Sequence, residues 1–333
     1  MRSTAILIKW AIVAAVAFAA ARFALQLVPV EQLPLPTGIM LETTRRAPRD
    51  LYNFPDDRWV FLVGGSTVRE AVEHDQLAWD VRKFAEPRGM ASDIAFALNW
   101  TLANADPDHM PELVVWGVHS ICFVDRKPHP ALTRVAQDMW NDEIARRLQF
   151  HESKIELSPT DRFERRVHQF DPWIRQRGVI RDAVEVWVRS VVYGGDGLVG
   201  GFPTWHVKDE RALHPIDFYV DRSAKLGLFV DDPVATVHER AIAVVLETLR
   251  AYNIPLIVVG MPEHSAMRAS YPAHSRQLML DRFHGPGVRV VDWIDLLPDA
   301  LLTDHLHATA AGRVVFTHRL NALLDEVSGE ASE

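Results

Sequence analysis

Four short, largely apolar runs constrain this chain more than any other feature: "WVFLV" from Trp59 to Val63, "LVVW" from Leu113 to Trp116, "PLIVVGM" from Pro255 to Met261, and "VRVV" from Val288 to Val291. Runs of this length, bounded by glycine or proline, read as strands, the first two of the buried type. Helical patterns fall between them. "RGMASDIAFALNWTLANADPDH" carries one that closes at Asp106 and Pro107. "DDPVATVHERAIAVVLETLRAYN" carries another, with Asp232 as its N-cap and Pro233 at its first position. A last helix places Phe316, Leu320, Leu323 and Val327 on one face. Strands alternating with helices in this order predict an α/β domain over residues 58–327, a doubly wound parallel sheet covered by helices on both sides. With 333 residues, 48% of them apolar, the chain has enough material for such a core.

The N-terminus sets the expected compartment. "MRSTAILIKWAIVAAVAFAAARFALQLVPV" places Arg2 and Lys9 ahead of an uncharged run from Trp10 to Ala21, and the apolar character resumes beyond Arg22. About 20 to 24 residues of this kind can span a bilayer with the N-terminus inside. Residues 1–30 therefore read as a membrane anchor, with a cleavable signal peptide ending near "AFAAA" as the competing reading and a buried helix as the plainest. Under the first two readings the remainder is extracytoplasmic. Residues 31–57, with "VEQLPLPTGI" and "TTRRAPRDLYNFPDD", read as a linker.

Charge and cysteine content remove other classes. A formal net charge of -8 and the lack of a long basic tract argue against nucleic-acid binding. Cys122 is the single cysteine, so an intramolecular disulfide and a cysteine metal cage are both excluded.

Chemistry concentrates at two places. In "RWVFLVGGSTVREAV" the first strand meets Gly64 and Gly65, and Ser66 stands where the next helix begins. Two readings of this serine stay open. Ser66 or Thr67 can cap the helix, since Thr67 and Glu70 have capping-box spacing. Alternatively Ser66, at the carboxyl end of a parallel strand, faces the crevice where open α/β sheets bind ligands and acts as a nucleophile. The stretch is not Gly-x-Ser-x-Gly, a P-loop or Gly-x-Gly-x-x-Gly. The second place is "LLTDHLHATAAGR", where Asp304, His305 and His307 precede the last helix on the same predicted rim. A serine, a histidine and an aspartate on one rim are the parts of an acyl-transfer triad. A metal site from His305, His307, Asp304 and either His119 or His264 is a weaker alternative, because His at i and i+2 in a loop is not a strong metal spacing.

Gly64-Gly65-Ser66 after the first strand, with Asp304-x-x-His307 and Gly312 before the last helix, resembles the SGNH (GDSL-like) hydrolase superfamily. The resemblance implies a flavodoxin-like three-layer sandwich, Ser66 as nucleophile, His307 as base and Asp304 as its orienting partner. It gives Gly89 the place of a second oxyanion donor. Gly117-Val118-His119 stands where the family has Gly-x-Asn, so His119 or Ser120 must replace an asparagine donor. His305 matches no family role, and Gly65 replaces the aspartate that commonly precedes the serine. The layout is most similar to membrane-anchored SGNH-like proteins of bacterial cell-surface polysaccharide O-acetylation. That implies a surface glycan substrate, a membrane-bound O-acyltransferase partner, a periplasmic catalytic domain, and no cofactor or metal. A module of this type that binds glycan or a membrane partner without turnover is the alternative. Residues 126–231 read as an insertion, with a solvated helical face at Arg162, Arg165 and Arg166. Its glycine-rich loop carries Tyr193, Phe202 and Trp205, which suit either a local core or sugar stacking.

Overall fold

The computed structural model describes residues 59–73, 76–85, 89–105, 107–124, 139–149, 215–225, 231–232 and 234–330. The sequence readings of residues 1–57, of the Arg162 to Arg166 face and of the loop with Tyr193, Phe202 and Trp205 lie outside these residues, as does Pro233. Among the described residues no helix is long and apolar enough to cross a membrane.

The described residues build one parallel five-stranded sheet. In chain order the elements are β1 (Val60–Gly64), α1 (Ser66–Ala71), β2 (Val81–Ala85), α2 (Ala91–Asn104), β3 (Leu113–Val118), α3 (Asp142–Arg147) and α4 (Ile216–Lys225). They continue with α5 (Thr236–Ala251), β4 (Leu256–Gly260), α6 (Ser265–Arg268), α7 (Ala273–Leu280), β5 (Val288–Asp292) and α8 (Ala310–Glu330). The strand order is β2-β1-β3-β4-β5, all pairs parallel. The four predicted strands are β1, β3, β4 and β5. The fifth, β2, sits at the sheet edge, and its Arg82 and Lys83 interrupt the apolar signal by which the others are read.

Side-chain alternation along β1 explains why helices cover both faces. Trp59, Phe61 and Val63 enter one core with Ile94 and Leu98 of α2 and Ile242, Val245 and Leu249 of α5. Val60 and Leu62 enter the opposite core with Val68 of α1 and Phe316, Leu320 and Leu323 of α8. Each such side chain, taken fully from water, contributes about 1.5 to 3 kcal/mol. Val327, read on the same face of α8, is only partly buried against that core. Helix α5 begins at Thr236 with Ala235 as N-cap, three residues beyond the Asp232 expected in that role. The Asp232 carboxylate instead accepts from the Val234 amide and pairs with Arg282. Within the predicted insertion, α3 is part of the main core, with Ile144, Ala145 and Leu148 buried beside α2 and α5.

In an order of this kind the chain winds in opposite directions from β1 and β3. Ligands bind in the crevice outside the carboxyl ends of those two strands. Ser66 follows β1 and Ser120 follows β3, and the register pairs Gly64 with Gly117 directly behind them.

Candidate active site

Ser66 is positioned by a close approach of helix to sheet. A Cβ on Gly64 would lie 2.3 Å from Val68 Cγ2, and one on Gly117 would lie 2.2 Å from the same atom. The two glycines let Val68 seat α1 against β1 and β3, which sets the height of Ser66 at the rim. Capping does not use the serine. The N-cap is Gly65, with no side-chain cap bond, so neither Ser66 nor Thr67 fills the capping role left open by the sequence.

The Ser66 hydroxyl meets His307, with Oγ 3.0 Å from Nε2. His307 Nδ1 lies 2.8 Å from Asp304 Oδ2, while Asp304 Oδ1 accepts from the amides of Leu306 and His307, each at 2.9 Å. Burial alone would raise the Asp304 pKa. The contacts from His305 and His307, the charge of His307 and the Leu306 amide outweigh it and hold the carboxyl far below its ordinary range. An ionised carboxylate only accepts, so His307 Nδ1 carries the proton and Nε2 presents its lone pair to the Ser66 O–H.

The loop bearing this pair is closed at its neck. Leu302 bridges antiparallel to Ala308, and the Thr303 amide donates to the His307 carbonyl at 2.7 Å. Leu306, between the two histidines, is buried. Gly312 enters the first turn of α8 so tightly that a Cβ there would lie 2.3 Å from the Leu301 carbonyl oxygen. The His264 amide donates to the His305 carbonyl at 3.1 Å, tying the exit of β4 to the same loop.

Of the further candidates, Gly89 is buried immediately before Met90, the N-cap of α2, whose amide donates to Asp93 at 2.7 Å. His119 is fully buried at the end of β3. Its Nδ1 accepts from the Ile121 amide at 3.2 Å, and its Nε2 stands 2.8 Å from Glu263 Oε1. Desolvation lowers the His119 pKa against the opposing pull of Glu263, so the ring is neutral. An oxyanion at Nε2 would face the Glu263 carboxylate, which argues against His119 as a donor. Ser120 is the better candidate, because its Oγ is buried and among the described residues has no hydrogen-bond partner. No family model matches this chain, and no curated protein matches it.

Sequence reasoning missed the network behind His119. Glu263, wholly buried, also takes Arg276 Nη1 at 2.7 Å and the Tyr271 hydroxyl, and Arg276 Nη2 reaches Asp292 Oδ1 at 2.6 Å. Burial alone would raise the Glu263 pKa, but His119, Arg276 and Tyr271 lower it to about 2. The signal was a carboxylate directly after the β4 run in "GMPEH", on the rim shared with Ser66. His305 lies buried in the loop that carries Asp304 and His307. Among the described residues no group of three or more His, Cys, Asp or Glu could hold a metal ion, which corrects the alternative built on His305, His307 and Asp304.

Proposed function

We propose that this chain is an SGNH-like serine acyltransferase or acyl-ester hydrolase, and that it transfers an acyl group, in our reading acetyl, to or from a cell-surface glycan. The observation carrying the proposal is the unbroken series Ser66 Oγ, His307 and Asp304 at the carboxyl rim between β1 and β3.

In this mechanism His307 Nε2 takes the Ser66 proton as Oγ attacks the acyl carbonyl, and the carbonyl oxygen becomes the oxyanion of a tetrahedral intermediate. The Ser66 amide, the Gly89 amide and the Ser120 hydroxyl are assigned as its donors. Collapse breaks the bond to the leaving oxygen, which receives the proton from His307. A glycan hydroxyl or water then gives its proton to His307 and attacks the acyl-serine, restoring Ser66. Asp304 stays ionised throughout, fixing the His307 tautomer and stabilising the imidazolium. The assignment to the extracytoplasmic side of a membrane rests on residues 1–30, and a membrane-bound O-acyltransferase is the proposed source or recipient of acyl groups.

A fluorophosphonate probe tests the proposal. It is expected to add once to the folded protein, at Ser66, and Ser66→Ala is expected to remove both the adduct and turnover of p-nitrophenyl acetate. Stability should change by only about 0.5 to 1.5 kcal/mol, the worth of one hydrogen bond. Wild-type protein that is not labelled, or a Ser66→Ala variant labelled as well as wild type, would sink the enzymatic reading in favour of a binding module.

A further inference from the structure

Asp304 has a second imidazole beside it. His305 Nδ1 lies 3.6 Å from Asp304 Oδ1, while His307 Nδ1 occupies Oδ2, so the two rings attend opposite oxygens of one carboxylate. Among the described residues His305 Nδ1 is buried without a hydrogen-bond partner, and the Asp304 carboxylate is the charge beside it. The ring is held in place from outside the loop. Tyr219 of α4 stacks on it, with centroids 4.7 Å apart and planes 19° from parallel. Tyr219 and Ser223 are the buried residues of α4. This helix belongs to the segment read as an insertion, and it meets α6, whose N-cap His264 donates its amide to the His305 carbonyl.

We infer that His305 is a positioning residue for Asp304, clamped by Tyr219, so that the inserted helix α4 governs the alignment of the serine site. The inference rests on the Ser66, His307 and Asp304 reading and deepens it. Asp304 must keep Oδ2 on His307 Nδ1, and rotation of the carboxylate breaks that contact. Two backbone amides donate to Oδ1, and the His305 imidazole, 3.6 Å from that same oxygen, packs beside the carboxylate and limits its rotation. Tyr219 does not touch the reacting atoms in this scheme. It limits the tilt of the His305 ring, as offset aromatic stacking does.

The test measures kinact and KI for the fluorophosphonate separately, with thermal unfolding of each variant as a fold control. His305→Ala is expected to lower kinact about ten- to a hundredfold with KI unchanged, the scale of a small misalignment at a reacting group. His305→Asn, which keeps a donor near the Nδ1 position, is expected to recover most of the loss. Tyr219→Leu should cost about three- to tenfold, the range of an aromatic pair, and Tyr219→Phe, which keeps the stacked ring, should lose less. Because the clamp acts through His305, the Tyr219→Leu/His305→Ala double variant should be no slower than His305→Ala alone.

A readout independent of turnover is the downfield proton resonance of His307 Nδ1–H. It should broaden or move upfield in His305→Ala and hold in His305→Asn. An unchanged resonance in His305→Ala, a loss confined to KI, or additive effects of the two substitutions would each overturn the inference. Failure of the serine reading looks different, since wild type would then carry no Ser66 adduct while the His307 resonance still reported on His305.

Discussion

Gly312→Ala perturbs the candidate site without removing any of its reactive atoms. The new Cβ would sit 2.3 Å from the Leu301 carbonyl oxygen, against 3.4 Å for ordinary contact, so that carbonyl must retreat by about 1 Å. Leu301 also accepts from the Thr309 amide at 2.9 Å and adjoins the Leu302 to Ala308 bridge, so the displacement enters the neck of the loop holding Asp304 and His307. The 3.0 Å contact between His307 and Ser66 does not survive a shift of that size unchanged. Misplacement by 1 Å costs about a hundredfold in rate. Stability moves much less, because overpacking costs about 1 to 3 kcal/mol while alanine gains about 1 kcal/mol of helix preference over glycine. The expected result is a fluorophosphonate labelling rate reduced about a hundredfold in a protein whose urea midpoint falls modestly. Labelling at the wild-type rate in Gly312→Ala would refute the claim that this glycine holds the loop in register.

Asp304→Asn should lower p-nitrophenyl acetate turnover by about ten-thousandfold, because an amide no longer enforces the His307 tautomer, and His307→Ala should lose at least as much; steady-state kinetics on folded variants check both. Folding stability should fall on acidification. The His119 pKa is lowered from 6.5 and that of Glu263 from 4.5 to about 2, so the unfolded chain binds protons that the folded chain does not. The His119 contribution is present above pH 6.5 and is lost as pH falls below it, and that of Glu263 is lost between about pH 4.5 and 2. Urea unfolding from pH 7.5 to 5 (about the His119 window) should steepen in wild type and flatten in His119→Gln; equal slopes in the two proteins would contradict the buried-neutral assignment.

Much of the fold was legible because buried parallel strands advertise themselves. β1, β3 and β4 are continuous apolar runs, and a charge-bearing edge strand such as β2 is not, which is why "VRKFA" passed unread. The start of α5 was misplaced because Asp232-Pro233 has the chemistry of a helix start, yet Asp232 is taken up by Arg282 and the first turn waits until Thr236. Order along the rim brought Ser66 together with Asp304, His305 and His307, and the spacing of the resembled family selected His307 over His305. Local chemistry could not separate a capping serine from one facing a histidine, since that depends on how closely Val68 lets α1 approach the sheet. Nor could it foresee that Glu263 would draw His119 away from the crevice, or that Tyr219 would cover His305. Those contacts join elements far apart in the chain, and no local pattern encodes them.

The hydrogen bond between Ser66 and His307 spans 241 positions. Ser66 leaves the ribosome with the first described strand, whereas its partner follows only after the sheet is complete and α8 can latch onto the connection between α1 and β2. That latch consists of Thr317 taking the Glu73 amide at 2.8 Å, Asn321 taking the Ala78 amide at 3.1 Å and Asp325 taking the Trp79 indole at 2.9 Å. Such long-range closure is slow compared with helix formation. A nascent chain therefore carries its serine as an ordinary alcohol. The Ser66, His307 and Asp304 series is assembled only with the final docking step, so under the proposed function a partly synthesised chain has no acyl chemistry.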